Sequence, residues 1–401
     1  MPETIIMPKK LVVVCLFNFL IAALLGLALR YSFLGSIEVN YRFLTHAHSH
    51  VAMLGWVYLM LYVCIAHYFV PEQKPIYTKL FWVTEFAVLG MVLSFPFQGY
   101  AAVSISFSTL HIFCSYYFVY LVWKQHETAS VVTSRLLKTA LVFMVTSTIG
   151  VWCLGPAVSM LGQASAFYQI AIQFFLHFQF NGWFLIGVLA VFFHLFKIEN
   201  SKLFSAFYWV LIVSTVLTFA LPMQWFAPHM VFPWINGVGV VLQLVLIVLF
   251  VKLIKFKENK VASGDNLVVI NLYRFAVLCF ILKTIFQASS IFPAFTNVVY
   301  GHRSFVIGFI HLLMLGVVSG FLFSFILKNN LLSYSKTTYF GVYSFLVGFV
   351  LTELILLIQG YKFFTGSGLL PNYYLSLFCF SILLPFGIAL MLFNLIRKKR
   401  N

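Results

Sequence analysis

Charge is what this sequence has least of. Only 8% of its 401 residues are Asp, Glu, Lys or Arg, against about 25% in an average soluble domain. So little polar side chain cannot cover a folded surface in water, which excludes a water-soluble globule. Lipid is the solvent that suits a chain 62% hydrophobic, with mean hydropathy +1.01. Acids are the scarcest class, nine against 25 Lys and Arg. Cysteines are few. Cys15, Cys64, Cys114, Cys153, Cys279 and Cys379 all lie in apolar runs without a CxxC pair. They read as small buried hydrophobes, excluding a disulfide framework, a zinc ribbon and an iron–sulfur centre. Soluble segments and low-complexity tracts are also missing. The chain therefore reads as one integral membrane helical domain, 1–401.

What the sequence has is long apolar runs. A spanning helix needs roughly 20 mostly apolar residues. That rule gives twelve spans, at about 11–34, 46–70, 79–99, 101–124, 136–160, 167–196, 203–223, 230–256, 267–289, 303–327, 338–360 and 372–396. Pro and Gly punctuate the joints, as at Pro71, Gly99, Pro228, Gly264 and Pro371. The first run is too long for a cleaved signal peptide, and no small-residue cleavage site follows it. The fold class expected is all-α, a polytopic membrane bundle.

The basic residues orient the bundle. With Lys9 and Lys10 in the cytoplasm, twelve crossings return Arg397-Lys398-Lys399-Arg400 to the same side, and 19 of the 25 basic residues fall inside. The N-in, C-in arrangement thus satisfies the positive-inside rule. The formal +16 is mostly topology, so nucleic acid is not expected as a partner.

Eleven histidines remain to be explained. His67, His126 and His194 fall at cytoplasmic helix ends and read as interfacial polar residues. His46, His48 and His50 open span 2 at its outer end, and His229 and His302 stand at the outer starts of spans 8 and 10. His111, His177 and His311 lie about ten residues into spans 4, 6 and 10, or roughly 15 Å deep at 1.5 Å per residue. Ionisable groups inside a bilayer are costly and usually functional, and imidazole suits iron, copper and zinc. This makes His46, His50, His111, His177, His229, His302 and His311 candidate metal ligands. His46 and His50 share a helix face at i, i+4, whereas His48 points nearly opposite, toward another centre or a loop.

Arg42 and Arg303 stand beside the outer histidines. An arginine fork pairs with carboxylates, so they read as a clamp for haem propionates or as snorkelling helix-end residues. Glu85, Glu353 and Lys283 fall inside the hydrocarbon, either as a proton relay or as a self-neutralising Glu–Lys pair.

Three stretches carry a family likeness. Thr45-His46-Ala47-His48-Ser49-His50 running on to Gly55-Trp56, His177-Phe178-Gln179-Phe180-Asn181-Gly182-Trp183, and Gly301-His302-Arg303 through His311 to Gly316 resemble the histidine-bearing helices 2, 6 and 10 of haem–copper oxidase subunit I. The likeness takes in nitric oxide reductases, cb-type oxidases and NnrS proteins. It implies His48 or His50 with His311 as axial haem ligands, and His177 as a ligand to copper or another second metal. It also implies an electron-donor protein and a small diatomic ligand, most naturally nitric oxide. The positive-inside pattern gives sidedness but not organelle, and a bacterial cytoplasmic membrane is the simplest assumption. The sequence departs from that family. Span 7 has no His, helix 10 lacks His-x-His, and no Tyr lies four residues after His177. The full copper-site set is therefore missing, and proton-pumping oxygen reduction is not expected.

The leading expectation is a haem- and copper-binding membrane protein of oxidoreductase type. The alternatives are a His-lined transporter of metal ions or small solutes, and a non-enzymatic bundle such as an assembly factor or sensor.

Overall fold

A computed structural model describes residues 7–70, 74–261 and 266–397, the side chains at 256–261 excepted. Among these residues all regular structure is helical. Pro71, Gly264 and the basic residues Lys398, Lys399 and Arg400 lie outside them. Twelve helices are long and apolar enough to cross a membrane. They are α1 Lys9–Tyr31, α2 Tyr41–Phe69, α3 Pro75–Gln98, α4 Ala102–Gln125, α5 Val131–Leu161, α6 Ala166–Leu195, α7 Lys202–Phe226, α8 Phe232–Lys255, α9 Leu267–Ile291, α10 Arg303–Lys328, α11 Lys336–Phe364 and α12 Tyr373–Arg397. The all-α polytopic bundle expected from the apolar runs is present. Span 2 starts five residues earlier than hydropathy placed it, because Asn40 caps it by accepting from the Arg42 and Phe43 amides. Ser130, Ser165, Ser201, Asn266 and Ser335 cap α5, α6, α7, α9 and α11 in the same way.

The chain divides into two compact units. Unit 1 is Met1–Glu127 with Leu322–Asn401, and unit 2 is Thr128–Phe321. In unit 1, α1 packs on α2 and on α12, α3 packs on α4, and α11 packs on α12. Its core is aromatic. Phe19 stacks on Trp56 with ring centroids 4.5 Å apart, and Phe323 and Phe345 close on the pair. In unit 2, α5 packs on α6, α7 on α8, α8 on α9, and α9 on α10. There Phe192, Phe193, Phe207, Phe250 and Phe280 form a chain of ring contacts. Phe97, Trp209, Trp234 and Phe340 are exposed, as suits side chains whose solvent is hydrocarbon. The six cysteines are free thiols. Cys15, Cys64, Cys114 and Cys279 are buried as expected, but Cys153 is half-buried and Cys379 is exposed, because those helix faces look outward.

Along the chain each odd-numbered helix lies against the next (α1 on α2, α3 on α4, α5 on α6, α7 on α8, α9 on α10, α11 on α12). Counted in quartets these pairs make three runs, α1–α4, α5–α8 and α9–α12.

Unit 1 also holds a buried carboxyl. Glu85 of α3 accepts from the Asn18 amide at 2.7 Å, and the same amide reaches the Gly55 carbonyl at 3.2 Å. Asn18→Leu removes both donations from groups that water cannot reach. The expected cost is about 1–3 kcal/mol for each acceptor left bare, read as a lower midpoint of thermal unfolding in detergent. Glu85→Gln keeps an acceptor for Asn18 and is expected to unfold close to wild type. Equal midpoints for wild type and Asn18→Leu would show that the amide does not serve these groups.

Candidate ligand histidines

The second helix of each quartet has the same local defect. In α2, α6 and α10 the α-helix gives way to a π-helical segment, at Val51–Tyr58, Phe178–Phe184 and Leu312–Val318. In each case the residue immediately before it is a histidine: His50, His177 and His311. A π turn inserts one residue into the helix and loosens its ladder, so it persists only where something else holds it, and it is found most often at functional sites.

Two features hold these three. Glycine stands five residues after each histidine, at Gly55, Gly182 and Gly316. A Cβ on Gly55 would meet Val88 at 2.9 Å and Asn18 at 3.1 Å, and one on Gly182 would meet Phe143 at 2.6 Å. The turn at Gly55 can therefore press against α1 and α3, and the turn at Gly182 against α5. A polar side chain also donates to a backbone carbonyl in or beside each segment: Asn18 to Gly55, Asn181 to His177, and Ser319 to Met314. Trp56 and Trp183, each following the glycine, are fully buried.

Each of these histidines lies eight to eleven residues in from the outer end of its helix, about 12–16 Å at 1.5 Å per residue. His50 and His46 face one way, as the i, i+4 spacing predicts. His46 lies edge-on to Tyr100, and His50 packs on Phe95. The His50 Nδ1–H donates to the His46 carbonyl at 2.8 Å, and its Nε2 accepts from the Tyr100 hydroxyl at 3.2 Å. His48 turns the other way. It faces neither a loop nor lipid but α1, where its Nδ1–H donates to the Ala22 carbonyl at 2.8 Å and its ring lies over Gly26. His111 of α4 is buried against the Tyr58 ring. It lies within electrostatic reach of His50, and its Nε2 has no hydrogen-bond partner among the described residues.

In unit 2 the π segments of α6 and α10 touch. The His177 Nε2–H donates to the Thr215 carbonyl at 2.7 Å, which leaves Nδ1 with its lone pair. Phe178 and Phe219 wall the ring. His302 is the residue preceding α10, with Arg303 exposed after it. His229 is exposed ahead of α8. Its backbone amide donates to Gln224, and its Nδ1 accepts from the Val231 amide. Arg42 is exposed on the first turn of α2, in unit 1. Two of the histidines at the opposite helix ends have hydrogen-bond partners. His67 bonds Asn329, and His126 bonds the Val122 carbonyl.

Glu85 pairs with Asn18 and not with Lys283, which lies instead over the Phe309 ring. Glu353 is within electrostatic reach of Arg30, also in unit 1. Sequence reasoning passed over Arg30, Asn18 and Tyr100. It also quoted the three His-to-Gly stretches without seeing their shared spacing. Of eleven histidines, only His50, His177 and His311 have Gly at the fifth following position, which is the signal that finds the π segments.

An axial bond to haem iron needs one imidazole nitrogen with an available lone pair, and ligating histidines usually spend the other nitrogen on a carbonyl or carboxylate. His48 and His177 have that form, and the buried His111 Nε2 has no hydrogen-bond partner among the described residues, its Nδ1 lying 3.4 Å from the Ser115 hydroxyl. The donor set suits axial ligation. It does not suit a metal ion held by three side chains alone, since no three His, Cys, Asp or Glu among the described residues stand close enough together. No protein-family model matches the sequence, and no curated protein does.

Proposed function

We propose that this integral membrane protein binds haem through histidines of α2, α6 and α10, as a distant relative of haem–copper oxidase subunit I. The observation that supports this reading is the placing of His50, His177 and His311 directly before three π-helical segments. A costly backbone defect is repeated behind the same side chain, and metal-ligand chemistry is the use of imidazole that rewards such fixed aim. His311 would hold haem in unit 2, and His177 copper or another second metal. In unit 1 His48 or His50 would hold haem, His50 once its Nε2 releases the Tyr100 hydroxyl.

Haem iron would supply redox chemistry and a binding position for a diatomic ligand such as nitric oxide. The chain's own contribution is orientation and dryness. The Thr215 carbonyl fixes the His177 tautomer, the Ala22 carbonyl fixes that of His48, and Phe95, Phe178 and Phe219 exclude water from the rings. Electrons would come from a donor protein at the outer face of a bacterial cytoplasmic membrane.

The test is an absorption spectrum with iron and copper analysis of protein purified from its native membrane. A Soret band with stoichiometric iron is expected. Protein free of haem, iron and copper overturns the reading, and metal-dependent uptake by such protein in vesicles would favour a transporter.

A further inference from the structure

We propose that unit 2 contains a binding site for a small, weakly hydrated monovalent anion, built from Lys283 of α9 with His177 of α6 and Phe309 of α10. The site needs no iron, although it shares His177 with the second-metal position of the proposed function.

Lys283 is only 2% exposed. A lysine near a helix end ordinarily stretches toward the headgroups. This one turns inward, its Nζ 5.5 Å from the centre of the Phe309 ring, and its charge reaches the His177 imidazole. Among the described residues no carboxylate pairs with it. Between residues 128 and 321 the only acids in the sequence are Glu199, between α6 and α7, and Glu258 and Asp265, between α8 and α9 in sequence. Lys283 makes no ion pair among the described residues. The Phe309 ring offsets part of the cost of burying an ammonium, but an uncompensated charge in this setting remains expensive. An anion from outside the chain supplies what the sequence withholds.

The surroundings define which anion. A single positive charge is balanced by a single negative one, whereas a divalent anion would leave net charge buried. His177 spends its proton on the Thr215 carbonyl, so it is a neighbour without a proton to offer and the lysine supplies the donors. The flanking surface is aromatic, from Phe178, Phe219 and Phe309, and cannot replace a tight hydration shell. Anions that shed water easily, such as nitrite, nitrate and thiocyanate, fit. Sulfate and phosphate do not.

The experiment is equilibrium dialysis of the full-length protein in lipid nanodiscs against radiolabelled thiocyanate, with nitrite, nitrate and sulfate as competitors. Wild type is expected to bind saturably, one anion per chain, displaced by nitrite and nitrate and not by sulfate. Lys283→Arg keeps the charge and retains binding. Lys283→Met keeps the apolar stem and loses affinity by about tenfold or more, with an unfolding midpoint at least that of wild type as the check on folding. Lys283→Gln gives the same comparison if the methionine protein fails to fold. Absence of saturable binding in wild type overturns the proposal. So does undiminished binding in a folded Lys283→Met protein, and binding that tracks haem content and survives Lys283→Met places the anion on iron and equally overturns it.

Discussion

His311→Ala protein is expected to leave the column with its Soret band lost or reduced by at least about tenfold, since even partners one bond removed from a metal ligand shift affinity by roughly 10–100-fold. The backbone should survive the change. His311 is the last α-helical residue before the π segment, and the Ser319 hydroxyl, which donates to the Met314 carbonyl within that segment, stays in place. The loss would therefore appear in the spectrum while helicity by circular dichroism stays at the wild-type level. His302→Ala, at the residue preceding the same helix, is expected to keep the band. Equal haem in the His311→Ala and wild-type proteins would remove His311 from the ligand set. Loss of helicity together with haem would mean that the ring serves packing.

Gly150→Val should be the most damaging single change to the fold. Any Cβ at Gly150 of α5 would lie 2.4 Å from the Ala171 carbonyl oxygen and 3.0 Å from the Phe175 amide nitrogen of α6. Both are backbone atoms, so no side chain can rotate away and the two helices must separate. Close backbone approach through small residues is how membrane helices pair when hydrophobicity does not distinguish neighbour from lipid. The expected penalty is about 3 kcal/mol or more, at or above the upper end for overpacking. It should appear as loss of folded protein on size-exclusion chromatography and a lowered unfolding midpoint. Because Phe175 is two residues from His177, the ligand geometry on α6 should suffer too. Gly155→Ala, with nothing within 4 Å of its Cβ, is the control expected to behave as wild type. A normal midpoint for Gly150→Val would mean that α5 and α6 are not in such contact.

Architecture was legible because lipid imposes one rule on every span. Twelve apolar runs marked twelve helices to within a few residues, and Ser or Asn caps such as Asn40 and Ser165 account for the earlier starts. The opposed aims of His48 and of the His46–His50 pair also followed from helical spacing alone. What stayed hidden depends on contacts remote in sequence. Asn18 serves Glu85 across 67 positions, and His177 finds Thr215 across 38. Hydropathy registers neither, since it scores each residue without its neighbour. The π segments were hidden for a different reason. Their residues, such as Val51-Ala52-Met53-Leu54 and Leu312-Leu313-Met314-Leu315, suit an ordinary α-helix equally well. Only the His-to-Gly interval, repeated on the second helix of each quartet, marks them.

Each π segment carries a spare residue, and a helix that drops it becomes regular while everything on one side of the deletion swings by about 100° relative to the other. Shortening α2, α6 or α10 by one position within Val51–Tyr58, Phe178–Phe184 or Leu312–Val318 would leave composition and length almost untouched. It would nonetheless aim His50, His177 or His311 at a different wall. In this protein the compass bearing of each imidazole is set by an insertion and not by the identity of the residues around it.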